Sequence, residues 1–170
     1  MFPSAIWPDT RPMDRVRGGG KRDGRRRVGP RMDLTIALSH LSNRRTSTLV
    51  TLKRDGRPQL SNVMHHVGDD GAIRISVTAD RAKTANARRD PRVSLYAERD
   101  DHWAYVVVEG TAELGPEAAD PHDAAADELV ELYRSMAGEH EDWEDYRASM
   151  VRDRRLVLTI RPERAYGLWS

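Results

Sequence analysis

The chain has no cysteine in its 170 residues. That excludes disulfide frameworks, thiolate zinc sites, iron–sulfur clusters and cysteine nucleophiles. No apolar run approaches the ~20 residues a membrane helix needs, and no apolar segment of the signal-peptide kind opens the chain. A cytoplasmic protein without membrane partners is expected. Lysine is almost missing, since 25 of the 28 basic residues are arginine; no physical need sets that ratio, and it reads as the codon bias of a GC-rich genome. The Gly-x-Ser-x-Gly, His-Glu-x-x-His, Gly-x-Gly-x-x-Gly and P-loop patterns are all absent. No side chain stands out as a nucleophile.

Charge divides the chain. Residues 1–31 hold nine Lys/Arg against three Asp/Glu, and the remaining 139 hold nineteen against twenty-four, so +6 and −5 sum to the net +1. The first stretch carries Gly18-Gly19-Gly20, a basic run from Lys21 to Arg27, and no helix or strand period. It reads as a disordered basic tail or as an upstream extension of the gene model, with Met32 as the start. A +6 arm would also attract phosphates, but nucleic-acid binding is the weakest of the three readings.

Periodicity begins at Asp33, placed to cap a short helix with Leu34, Ala37, Leu38 and Leu41 on one side. Strands are expected at Thr46–Lys53, Gln59–Val67, Ala72–Thr78, Arg92–Glu98, Trp103–Leu114 and Arg155–Arg161, with Pro162 ending the last. Asp55-Gly56 and Gly68–Gly71 are turn signals. Helical spacing covers about Arg81–Arg89. It returns in Leu129, Leu132, Tyr133 and Met136, and again in Trp143, Tyr146 and Met150. Short connections imply antiparallel pairing, so the expectation is one domain over residues 32–170, a six-stranded antiparallel barrel with short flanking helices.

Asp80-Arg81-Ala82-Lys83-Thr84 lies where a strand gives way to a helix. A helix start offers unpaired N–H groups to an anion; Arg81 adds a forked donor, Lys83 a point charge and Thr84 a hydroxyl. The bland alternative is a solvated basic helix start with Asp80 as its cap. Alternation along the long strand turns Ala104, Val106, Val108, Ala112 and Leu114 to one face and Trp103, Tyr105 and Val107 to the other. An outward aromatic pair marks an interface or a ligand platform, unless the chain's own helices cover it. Gln59 and Ser61 share one strand face with Val63, and Asn62 lies on the other. Polar groups on both faces fit a polar ring edge or an exposed edge strand. His65 and His66 point oppositely, cannot share a metal, and read as surface or core-edge histidines. Gly138–Asp142 reads as a loop with Asp142 as the next helix's cap. No metal site is expected.

A phosphate cradle, a polar strand and outward aromatics without a catalytic side chain suggest an organic cofactor that does the chemistry. Arg57-Pro58-Gln59-Leu60-Ser61-Asn62-Val63, then Arg81-Ala82-Lys83-Thr84 and Arg88-Arg89-Asp90-Pro91-Arg92, resemble the split β-barrel flavin and deazaflavin oxidoreductases of the pyridoxamine 5'-phosphate oxidase-like superfamily. The branch using coenzyme F-420, a deazaflavin, is the closer resemblance. Trp103-x-Tyr105, Val108-Glu109-Gly110-Thr111-Ala112, Leu132-Tyr133-Arg134, Asp142-Trp143 and Asp153-Arg154-Arg155 extend it, over about residues 33–167.

The resemblance implies an FMN-binding split barrel of Greek-key type, an obligate homodimer, and a cofactor in the groove between two barrels. Arg81, Lys83 and Thr84 would hold the phosphate. Gln59, Ser61, Asn62 and Val63, with the backbone of Ile75, Ser76 and Val77, would line the ring. Trp103 and Tyr105 would come from the other subunit. Arg57, Arg88 and Arg89 are candidate contacts for the acidic tail of F-420. The implied activity is hydride transfer between F-420 and a small unsaturated or carbonyl-containing substrate. The alternatives are an FMN-dependent oxidase or reductase, and a flavin- or F-420-binding protein with little turnover.

Overall fold

The computed structural model describes residues 31–169; of the basic tail, only Arg31 falls within them. In chain order the elements are β1 (Arg31–Met32), α1 (Leu34–Ser42), β2 (Thr46–Leu52), β3 (Pro58–Met64), β4 (His66–Val67), β5 (Ile73–Thr78), α2 (Ala82–Arg89), β6 (Arg92–Glu98), β7 (Tyr105–Leu114), α3 (Ala124–Ala137), α4 (Trp143–Arg152) and β8 (Arg155–Leu168). Every strand pair is antiparallel. The sheet runs β3-β2-β6-β7-β8-β5-β4, and β1 adds to β8 through Arg31↔Tyr166 and Met32↔Ala165.

β3 and β4 stand at opposite ends of that order, yet only His65 separates them in sequence. Neighbouring Cα atoms are about 3.8 Å apart, so the sheet must curl until its two ends meet. It forms a half-barrel whose seam is spanned by the chain itself. Seven strands follow one path and β1 lies beside it, where six were expected. The extra strand comes from the run Gln59–Val67, which divides at His65 and crosses the seam.

His65 is 2% exposed. Its Nε2 lies 3.2 Å from the Leu41 carbonyl and its Nδ1 3.0 Å from Ser47 Oγ. A carbonyl only accepts, so Nε2 carries the proton and Nδ1 accepts from the Ser47 hydroxyl. One imidazole thereby ties α1 and β2 to the seam. Burial holds its pKa below the usual histidine value.

The concave side holds the main core: Leu49, Ile73, Ile75, Val77, Leu95, Val106, Val108, Leu156, Leu158 and Ile160, with Ala37 and Leu41 of α1 packed among them. Alternation delivers these residues, and β7 turns Val106, Val108 and Ala112 inward as its pattern predicts, with Ala104 buried just ahead of it. Val157 faces the other way and anchors a second cluster of Ala126, Leu129, Leu132 and Met150. That cluster seats α3 and α4 on the convex side of the sheet. Asp142 caps α4 through its carboxylate as expected, and Asp123 does the same for α3.

Pro162 does not end β8. It lies opposite Gly110 at a register shift, beyond which β8 continues to Leu168 along β7. Proline lacks the ladder N–H but is accommodated where a bulge interrupts the ladder. Gly110 is required there, because a Cβ would fall 2.1 Å from the Arg161 carbonyl oxygen.

Candidate functional site

β5 stops at Thr78 and α2 starts at Ala82, which brings the basic motif to the rim of the half-barrel. The N-cap is Arg81, one residue after the expected Asp80, and its side chain makes no capping bond. Thr84 is fully buried and its hydroxyl donates to the Thr78 carbonyl at 2.7 Å. Its proton therefore braces α2 against β5. Neither Arg81 nor Lys83 forms an ion pair among the described residues. Burial, then the charges of Arg81 and Arg155, hold the Lys83 ammonium below the usual lysine range.

Lys83 opens into a groove of about 360 Å³. Asn62, Val63 and Met64 of β3 form one bank, and Ser76 and Arg155 form the floor. The far bank comes from the convex-side helices: Tyr133, Met136, Tyr146 and Met150. No acidic side chain lines it. β5 pairs with β8 along its whole length, but on its other edge β4 covers only Ile73 and Arg74. Beyond Arg74 that edge has no strand partner among the described residues. The backbone of Ile75, Ser76 and Val77 thus keeps one side clear of the ladder, while the side chains of Ile75 and Val77 lie in the core.

Of the other expected site residues, Gln59 and Ser61 enter an internal polar chain. Asn86 Nδ2 donates to Thr51 Oγ1 at 3.1 Å, Thr51 donates to Gln59 Oε1 at 3.0 Å, and Gln59 Nε2 donates to Ser61 Oγ at 2.6 Å. That chain ties α2 to β2 and β3 and leaves Asn62 on the groove side. Arg57, Arg88 and Arg89 do not line the groove. Arg57 faces Asp55 at 3.8 Å and Arg88 faces Glu117 at 4.0 Å. Arg89 donates to the Leu52 carbonyl and, at 3.3 Å, to Asn86 Oδ1.

Trp103 precedes β7, in the turn after β6, with its N–H on Asp101 and 70% of its surface exposed. Tyr105 stacks on Tyr96 with ring centroids 6.1 Å apart. Neither lines the Lys83 groove of its own chain. Tyr105 shares the outer sheet face with Tyr96 and Val107, where Val50, Leu60, Tyr96, Val107 and Tyr166 border a shallow apolar depression, and Trp103 stands in the turn at its end. Leu60, Met64 and Leu168 are each at least half exposed on the molecule.

Arg155 and the Tyr133–Tyr146 bank are groove residues that local sequence reasoning missed. Helical spacing gave the tyrosines only a shared helix face, with no sign of what that face meets. Arg155 enters only through the register Thr78↔Arg155, a pairing between residues far apart in the chain.

A curled antiparallel half-barrel with a cationic groove at the helix following β5 is the split-barrel fold of flavin-binding proteins. The chain belongs to the pyridoxamine 5'-phosphate oxidase family, whose model matches residues 37–169. Among solved structures it is similar to a conserved hypothetical protein, Rv2991, of Mycobacterium tuberculosis. That similarity is 25% identity over 85% of this chain and 89% of that one, with a TM-score of 0.63. A structure described as an F420 reductase shares 23% identity over 75% and 94% of the two chains, with a TM-score of 0.56. The General Stress Protein 26 of Bacillus anthracis shares 18% identity over 81% and 95%, with a TM-score of 0.52. No helix among the described residues is long and apolar enough to cross a membrane.

Proposed function

We propose that this protein is an oxidoreductase that moves a hydride between coenzyme F-420 and a small unsaturated or carbonyl-containing substrate. The observation that carries the reading is the groove at Lys83, where cations gather without a carboxylate beside a strand edge free of ladder partners. Lys83, partly buried and without an ion pair among the described residues, is costly to keep charged, and a phosphate there offsets that cost. When bound, the deazaflavin ring supplies the hydride chemistry. Arg81, Lys83 and the first turn of α2 neutralise the phosphate. Asn62, Val63 and the backbone of Ile75–Val77 orient the ring, and the tyrosine–methionine bank keeps water from one side. Gln59 and Ser61 act at one remove, by fixing β3 and α2 to each other.

The same reading makes the functional unit a homodimer. The outer face, with Leu60, Val107 and Tyr166, is the surface a second copy would cover, and Trp103 and Tyr105 would then border the neighbour's groove. The preference for F-420 over FMN rests on the motif resemblance. The family's link to pyridoxamine 5'-phosphate oxidase favours FMN as the second reading, with oxidase or reductase activity.

Fluorescence titration of the purified protein with F-420 and with FMN tests this directly, followed by turnover on a panel of enones and carbonyl compounds. Tighter binding of F-420 and oxidation of its reduced form by at least one panel member is the expected result. Binding of FMN alone would move the protein to the second reading. Binding of neither would end both.

A further inference from the structure

We infer that Arg155 is a ligand-binding residue, the second cation lining the groove, which takes an oxyanion of the bound cofactor across from Lys83. The inference rests on the cofactor reading above. Arg155 is the first residue of β8 and pairs with Thr78, so its side chain rises on the face of β5 that carries Ser76 and Thr78. Its Nη1 donates to Ser76 Oγ at a long 3.3 Å. Its Nε is buried with no hydrogen-bond partner, and so is Thr78 Oγ1. The nearest carboxylate, Asp153, makes an ion pair with Nε at 3.8 Å, beyond hydrogen-bond reach.

Two orphaned polar atoms on one cross-strand pair, beside an ammonium crowded by other cations, describe a place built for a hydrogen-bonding partner that the chain itself does not supply. The guanidinium keeps its proton, so its charge adds to that of Lys83. The cheapest relief is an anion that Lys83 and Arg155 share. Two parts of F-420 have that chemistry, its phosphate and the carboxylates of its tail. Arg57, Arg88 and Arg89, the residues expected to meet the tail, do not line the groove, so Arg155 is the arginine the groove itself offers to the tail.

Equilibrium binding of F-420, FMN and riboflavin to the full chain tests the assignment. Arg155→Met should weaken F-420 binding at least about tenfold, the scale of one charge-assisted hydrogen bond. Any binding of riboflavin, which has neither phosphate nor tail, should stay unchanged. Arg155→Lys keeps the charge and should recover part of the loss, which also guards against a methionine variant that fails to fold. A parallel loss with FMN assigns the phosphate to Arg155, and a loss confined to F-420 assigns the tail. Unchanged F-420 affinity in Arg155→Met, or an equal loss for riboflavin, overturns the inference while leaving the cofactor reading intact. Failure of the unaltered protein to bind F-420 or FMN overturns both.

Discussion

Lys83 and His65 are both basic groups drawn partly out of water, and each gives a measurable consequence at the residue scale. Lys83→Ala removes a charge-assisted bond worth about 1.5–3 kcal/mol, so affinity for the phosphate-bearing cofactor should fall roughly ten- to a hundredfold in a titration. Unchanged affinity would remove Lys83 from the phosphate site. His65 is buried neutral between Leu41 and Ser47, with its pKa depressed chiefly by burial. The unfolded chain, with a histidine pKa of about 6.5, therefore binds the proton more readily than the folded one. Stability should be full above that value and fall as the pH drops below it. The thermal midpoint should decline between about pH 7.5 and 5.5, and His65→Gln should flatten that decline although it lowers the midpoint at neutral pH. Equal slopes for the two proteins would show that another group sets the pH response. The caps at Asp33 and Asp142 were legible because a cap needs only its own next few residues. The roles of His65 and Arg155 were not, because their partners lie 18 to 79 residues away.

Among the elements, alternation carried the strands. The inward set of β7 and the core residues of β5 and β8 follow from period-2 spacing, and local turn chemistry located the hairpin at Gly56, whose φ of 81° suits glycine. Two signals misled for physical reasons. Proline normally stops a strand because it cannot donate, but the bulge at Gly110 removes the need for that donor at Pro162. Gln59–Val67 has an unbroken strand pattern, and only the curl of the whole sheet makes His65 a crossing point. The bulge also yields a sharp expectation. Gly110→Ala drives a methyl into the Arg161 carbonyl and must part β7 from β8 locally. A loss of about 1–3 kcal/mol, seen as a midpoint lower by several degrees, is the expected result. An unchanged melt would mean that the bulge relaxes freely.

At the scale of the molecule, sequence order concealed sheet order. Half-barrel curvature was legible from the count and spacing of strands, but not which edges meet, since that depends on pairings made across most of the chain. The proposed shared site belongs to this scale. Mixed dimers of Lys83→Ala and Trp103→Ala subunits would hold one groove carrying both lesions and one carrying neither. If Trp103 serves the neighbour's groove, activity after subunit exchange should exceed the sum of the two parents. Heterodimers that form without recovery would confine the site to one chain or require both sites at once.

β8 is the seam on the other side of the barrel. It pairs with β5 through Arg155–Ile160 and with β7 through Leu158–Leu168, and it is the last of the eight strands to leave the ribosome. While the chain is being made, at roughly 5–20 residues per second, β5 and β7 exist as two separate pieces of sheet, each with an open edge of the kind that templates aggregation. Only when β8 arrives do the pieces become one. The groove floor is completed at the same moment, since Arg155 is the first residue of that strand. A nascent chain is therefore most exposed just before β8 is released, and it completes its groove and closes its open sheet edges in a single step.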